Sequence, residues 1–276
     1  MAVASELRFD ELPDIQPFPQ IAGQIVSACG TPSITAQTLC EIIQRDPGIA
    51  LKIMKVANSS AYGLSGRVTN LSHAVVVLGL KSVRNLALSA AASSVFKSGN
   101  DTLRQDLWSH SVACATVASL VAQKSGLNRD DSFLAGIVHD AGKLLLMDAA
   151  GQQYLEITGD RSGPERLDAE RIAFGTDHQE LGLRCAEEWG LPLELSDAIS
   201  NHHAEMDANF PPGVSDVVNV SNHLSKFWGL GVNQPKDVDV ERVLYDAPLK
   251  VTVADLDELQ DRSQGNYESV LASFQD

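Results

Sequence analysis

The chain is poor in the features that would staple it, anchor it or let it coat a polyanion. Its four cysteines, Cys29, Cys40, Cys114 and Cys185, lie far apart and form no C-x-x-C, so they read as reduced thiols at small apolar helix positions. No apolar run approaches the length of a membrane span, and residues 1–20 carry acids and prolines rather than a basic-then-apolar leader. A soluble cytoplasmic protein with no membrane partner is the expectation. Convincing period-two alternation is missing, as are internal repeats and low-complexity tracts. Basic charge is scarce as well. The net charge is −15, and it is uneven: residues 1–100 hold eight Lys/Arg against six Asp/Glu, whereas residues 101–276 hold thirteen against thirty. That acidic second part argues against broad binding to nucleic acid or anionic lipid. The near-neutral first part is the side that would meet an acidic partner, unless its cations only solvate helix faces.

What is present is helix. The 276 residues are 44% apolar, enough for one large core or two smaller ones. Ile15, Phe18, Ile21, Ala22, Ile25, Val26 and Cys29 recur at helical spacing. Ser33 or Thr35 would start a second helix, and Asp46-Pro47 a third that ends near Asn58. "SSAYGLSG" reads as a turn, and "NLSHAVVVLGLKSVRNLALSAAASSVF" as two helices divided around Gly79–Ser82. After a polar stretch at 97–106, "LWSHSVACATVASLVAQKSG" predicts a long amphipathic helix closed by Gly126. "AGIVHDAGKLLLM" predicts another helix, and a polar segment containing Gly163-Pro164 follows it. "DHQELGLRCAEEWG", "LPLELSDAISNHH" and "VSDVVNVSNHLSKFWG" complete the pattern. The expectation is an all-α chain in three parts. Residues 1–100 form a helical bundle, packed on a second helical part at 101–205. Residues 206–276 form a helical, acidic extension, either a regulatory appendage or a solvated cap.

The histidines carry the chemistry. His110 shares a helical face with Cys114, Val117, Ala118 and Val121; His178 shares one with Leu181 and Cys185; His202 lies one turn beyond Ala198 and Ile199, with His203 adjacent. His139 and Asp140 sit among apolar residues. One buried imidazole is ordinarily a hydrogen-bonded core residue. Five on inward-facing positions need shared partners, which a metal or a polar network would supply. Neutral imidazoles with a carboxylate suit Zn, Fe, Ni or Mn better than Ca or Mg.

The order His110, His139-Asp140, His178, His202-His203 resembles the HD superfamily of metal-dependent phosphohydrolases. "LPDIQPFP", "IIQRDPGIALKIMKVANSSAYGL", "VTNLSHAVVVLGLKSVRNLAL", "LWSHSVACA", "FLAGIVHDAGKLLL" and "HQELGLRCAEEWGLP" narrow the resemblance. Together they look like the HDOD domain, the HD-related output domain of bacterial signalling proteins, over roughly residues 10–205. The resemblance implies an N-terminal helical bundle packed against an HD-like helical domain. It implies metal ligands at His110, His139, Asp140, His178, His202 and His203, and a divalent transition metal (Fe, Mn, Ni or Zn). Lys143, matching the lysine of the "HD-x-G-K" string, would be a catalytic phosphate contact if the protein is an enzyme; its plain role is a snorkelling surface lysine.

Two departures from the pattern matter. Where the related HD-GYP phosphodiesterases have "HHExxDGxGYP", this chain reads "HHAEMDANFPPG". His202, His203 and Asp207 fall in register, but Ala204, Ala208, Phe210 and Pro211 replace the Glu, Gly, Gly and Tyr. That argues against cyclic dinucleotide cleavage. Asn222 takes the place of the family's last aspartate ligand, with Asp216 as the nearby carboxylate that would compensate under another register. The expected function is a signal-transduction output or scaffold module that meets signalling proteins and keeps the remnant of a metal site without hydrolytic activity. The alternatives are a metal-dependent phosphohydrolase acting on a nucleotide or other phosphoester, in which the metal would activate water, and a sensor that binds such a ligand without turnover.

Overall fold

The computed structural model describes residues 13–15, 17–29, 34–63, 67–98, 102–232 and 236–275, and Ser33 lies outside them. Among the described residues there is helix and no strand. α1 (Gln20–Cys29), α2 (Ala36–Ile43), α3 (Pro47–Ala57), α4 (Leu71–Leu78) and α5 (Leu80–Phe96) come first. Their limits follow local chemistry. Thr35 caps α2 and Asp46 caps α3 through side-chain oxygens that accept backbone N–H groups, with Pro47 in the first turn of α3. Gly79, at φ 91°, separates α4 from α5, a backbone conformation that side chains with a Cβ rarely adopt.

α6 (Thr102–Ser125) is the central post. It begins within the stretch read as polar from the sequence, because Arg104 is buried there: it donates to the Val95 carbonyl and pairs with Asp148. Nor is α6 one-sided. Val112, Cys114 and Ala115 join a core with α1–α5, while Ala113, Val117 and Val121 join a second cluster on the other side. A helix that is apolar all round belongs in an interior.

α7 (Arg129–Val138) packs closely on α6. Gly136 makes this approach possible, since a Cβ there would stand 2.5 Å from the Ala115 Cα. Beyond α7 the chain turns at residues 139–141 and restarts as α8 (Gly142–Ala150). The single helix expected across the His139-Asp140 dyad is therefore two, and the dyad lies at the break. α9 (Gln152–Thr158) and α10 (Gly163–Phe174) occupy the segment read as merely polar. α11 (His178–Glu188), α12 (Leu193–Asn201) and α13 (Val214–Phe227) match the expected helices closely. α14 (Val240–Asp246) and α15 (Leu256–Phe274) complete the chain.

α15 is packed into the fold along one face. Val270 and Phe274 are fully buried in the first core, and Leu259 in the second. Phe274 meets Trp108 edge-on with ring centroids 5.2 Å apart. Lys97 donates to the Phe274 carbonyl at 2.8 Å, and the Ser60 hydroxyl to the Gly265 carbonyl at 3.2 Å. The helix thus ties α3, α5 and α6 together. No helix among the described residues is long and apolar enough to cross a membrane.

Candidate metal centre

His139 and Asp140 project from the α7–α8 turn, His110 from α6, His178 from the start of α11, and His202 and His203 from the end of α12. All six predicted ligand residues converge. The Asp140 carboxylate is the hub: Oδ2 lies 3.3 Å from His139 Nε2 and 3.8 Å from His110 Nε2. Its Oδ1 lies 3.6 Å from His178 Nε2 and 3.5 Å from His202 Nε2. His203 lies beside His202, tilted to it, with ring centroids 4.2 Å apart. His139, Asp140, His178 and His202 are fully buried.

A glycine makes the convergence possible. A Cβ on Gly142 would come within 2.1 Å of the His178 carbonyl oxygen, so only glycine lets α8 begin against the start of α11. This gives the "HDAGK" string a packing reason that is separate from any chemistry.

The proton positions follow from the partners. His139 Nδ1 lies 2.9 Å from the Gly136 carbonyl, His202 Nδ1 2.8 Å from the Ile199 carbonyl, and His178 Nδ1 2.6 Å from Glu170 Oε2. None of these oxygens donates, so each Nδ1 carries the hydrogen and each Nε2 turns a lone pair inward. Burial pushes His110, His178 and His203 below the ordinary imidazole range, and His202 down to about 3, so these rings are neutral. For Asp140 burial opposes ionisation, but the adjoining His139 and the Lys143 ammonium outweigh it. Its pKa is held well below the carboxylate range.

These residues fit a metal ion. His178 Nε2 and His202 Nε2 stand 3.3 Å apart, two lone pairs that repel unless a cation or proton lies between them. His139 Nε2 and Asp140 Oδ1 are buried without a hydrogen-bond partner. The donor atoms fall into two groups within 4.8 Å, His178–His202–His203 and His110–His139–Asp140. Imidazole with carboxylate is a donor set for a divalent transition metal.

Other groups sharpen the picture. Glu170, from α10, is buried and accepts from the His178 Nδ1, from the His178 backbone N–H at 2.9 Å and from the Tyr154 hydroxyl at 2.6 Å. A carboxylate behind a ligating imidazole fixes its tautomer and orientation. Sequence reasoning missed Glu170 because α10 is polar overall; the available signal was a glutamate on the stripe Leu167, Glu170, Phe174. Lys143 is buried, and its Nζ lies 2.6 Å from Asp140 Oδ2, so its charge is committed to the hub carboxylate. Lys226, also missed, is one turn beyond Asn222 on α13; burial and the Lys143 charge pull it down to about 7. Asn222 sits against the cluster, with Oδ1 3.1 Å from His110 Nε2 and Nδ2 without a partner. Asp216 does not compensate for it: its carboxylate accepts from the Gly213 N–H at the start of α13. Asp207 is exposed and bonds Asn209.

Fold and site together define an all-helical domain built around a buried histidine–aspartate centre. The chain belongs to the HDOD domain family, whose model matches residues 15–205. It is 26% identical over 199 residues to an uncharacterised Treponema pallidum protein; the match covers 70% of this chain but only 38% of that longer relative. Two solved structures share the fold. One is a Shewanella amazonensis protein provisionally named a metal-dependent phosphohydrolase (23% identity, TM-score 0.70, covering 96% of this chain and 94% of the other). The second is a Marinobacter aquaeolei protein provisionally named a signal transduction protein (22% identity, TM-score 0.69, covering 96% and 59%).

Proposed function

We propose that this chain is a signal-transduction output module of the HDOD type, whose buried centre holds a divalent transition metal without hydrolytic turnover. The observation that carries the reading is Asn222. A neutral amide occupies the edge of His110 where the related hydrolytic centres place an anionic ligand, and Lys143 already neutralises the one carboxylate at the hub. The provisional name of the Marinobacter protein supports a signalling role. On this reading the partners are signalling proteins in the cytoplasm, met through outer helix faces, and the acidic chain keeps away from nucleic acid and membranes.

The runner-up is a metal-dependent phosphohydrolase, favoured by the inward-turned Nε2 atoms of His139, His178 and His202 and by the name of the Shewanella protein. A bound metal would supply Lewis acidity toward a phosphate ester. This chain's own residues would orient that metal through Glu170 and Asp140 and hold positive charge nearby on Lys143 and Lys226.

The test is elemental analysis of protein purified without added metal, together with a phosphodiesterase and nucleotidase screen in Mn, Fe and Ni. Bound metal with no turnover is the expected result. Turnover that His139→Ala abolishes while the fold is retained would overturn it.

A further inference from the structure

Beside the centre, a cavity of about 570 Å³ lies between the start of α10, the loop after α12, α13 and α14. This is within the usual range for a small organic ligand. His203 belongs both to its wall and to the metal-binding group, so the two spaces share a side chain. In its lining, Asn219 is only 4% exposed, and its Nδ2 donates to the Ala204 carbonyl at 2.9 Å. The Asn219 Oδ1 is buried without a partner, an acceptor that native interiors rarely leave unfilled. His223, whose Nδ1–H goes to the Asn219 carbonyl at 2.9 Å, keeps Nε2 as a second acceptor.

The charges are divided between the two spaces. Lys143 and Lys226 stand on the side of the centre. The cavity carries Glu205, Asp237, Asp239 and Asp246, and its one basic residue, Arg242, pairs with Asp246 at 3.6 Å. Carboxylates and unfilled acceptors select hydroxyl and amino donors and repel phosphate. Met206, Val238 and Val243 supply apolar surface.

We propose that this cavity receives the uncharged organic part of a phosphate monoester, a hydroxyl- or amino-bearing group about the size of a nucleoside, whose phosphate reaches the histidine–aspartate centre. The module is then a sensor of such a molecule, and the proposal rests on the reading that the centre holds a metal. Calorimetric titration of the full chain, as purified and after Mn²⁺ loading, with AMP, ATP and inorganic phosphate tests it. AMP should bind about ten-fold or more tighter than phosphate and tighter than ATP. Val243→Trp, which fills the cavity, should bring the AMP-to-phosphate affinity ratio close to one. Met206→Trp, on another wall, serves if the first variant misfolds. AMP no tighter than phosphate, ATP tightest, or an unchanged ratio in a folded variant would overturn the proposal. If metal and phosphate bind but AMP gains nothing, the cavity reading falls and the metal reading stands. If AMP binds without metal and loses affinity in the variant, the metal reading falls instead. Failure of every probe to bind overturns the proposal and leaves the metal reading to elemental analysis.

Discussion

Glu170 holds His178 from behind: one carboxylate oxygen takes both the ring Nδ1–H at 2.6 Å and the backbone N–H at 2.9 Å of the same residue. Glu170→Gln keeps the shape but offers a weaker acceptor. We expect metal affinity to fall by roughly 10–100-fold with the helical fold intact. Competition with a chelating dye measures it, and unchanged affinity would show that Glu170 only supports the core.

Gly142→Ala places a methyl group against the His178 carbonyl. This contact and the one with the Gly182 N–H are backbone, so α8 and α11 must separate. The variant should lose on the order of 1–3 kcal/mol of stability and bind metal weakly. Urea denaturation checks the first effect and metal titration the second.

The metal-free protein should lose stability in acid. His202 is held at about 3, and His110, His178 and His203 are also below the ordinary 6.5. The unfolded chain therefore binds more protons below pH 6.5. Stability is full above that pH and falls as pH drops through it, and a single ring held near 3 contributes about 1.4 kcal/mol per pH unit. Asp140, depressed below 3.8, adds a loss of the same sign at lower pH. Chemical denaturation at pH 7.5 and 5.0 should show the drop; equal stability would mean that the rings titrate normally.

Asn222→Asp restores a carboxylate beside His110. Metal stoichiometry or affinity should rise, by about ten-fold in affinity if the amide is what weakens this edge of the site. Elemental analysis and a phosphoesterase screen of the variant read both consequences.

Phe274→Ala removes a fully buried ring that packs edge-on against Trp108. A cost of about 3–5 kcal/mol is expected, measured by denaturant unfolding. A cost near zero would mean that α15 is dispensable after all.

Much of this was legible in one dimension. The cap at Asp46, the choice of Ser33 or Thr35 for the start of α2, and the extents of α11–α13 followed from local chemistry; the structure puts the α2 cap at Thr35. The inward setting of His110, His178 and His202 followed from apolar spacing, and the full set of six from the likeness of several strings, in order, to a family. The break at residues 139–141 was not legible, because the flanking residues are uniformly apolar and helical periodicity hides a turn whose cause is packing against α6 and α11. Glu170 was hidden for the opposite reason: a buried carboxylate in a polar helix looks like every exposed one until its partner is known.

The sequence by itself determined that the chain is helical, where its stops and caps fall, and which imidazoles face inward, since these depend on neighbours within a turn or two. Only the tertiary structure decided that Asp140 is the hub of four rings, that Glu170 stands behind His178 and that Lys143 is spent on Asp140. It also decided that an acidic tail closes two cores. Those relations join residues far apart in the chain, and they depend on close approaches, at Gly136 and Gly142, that periodicity does not encode.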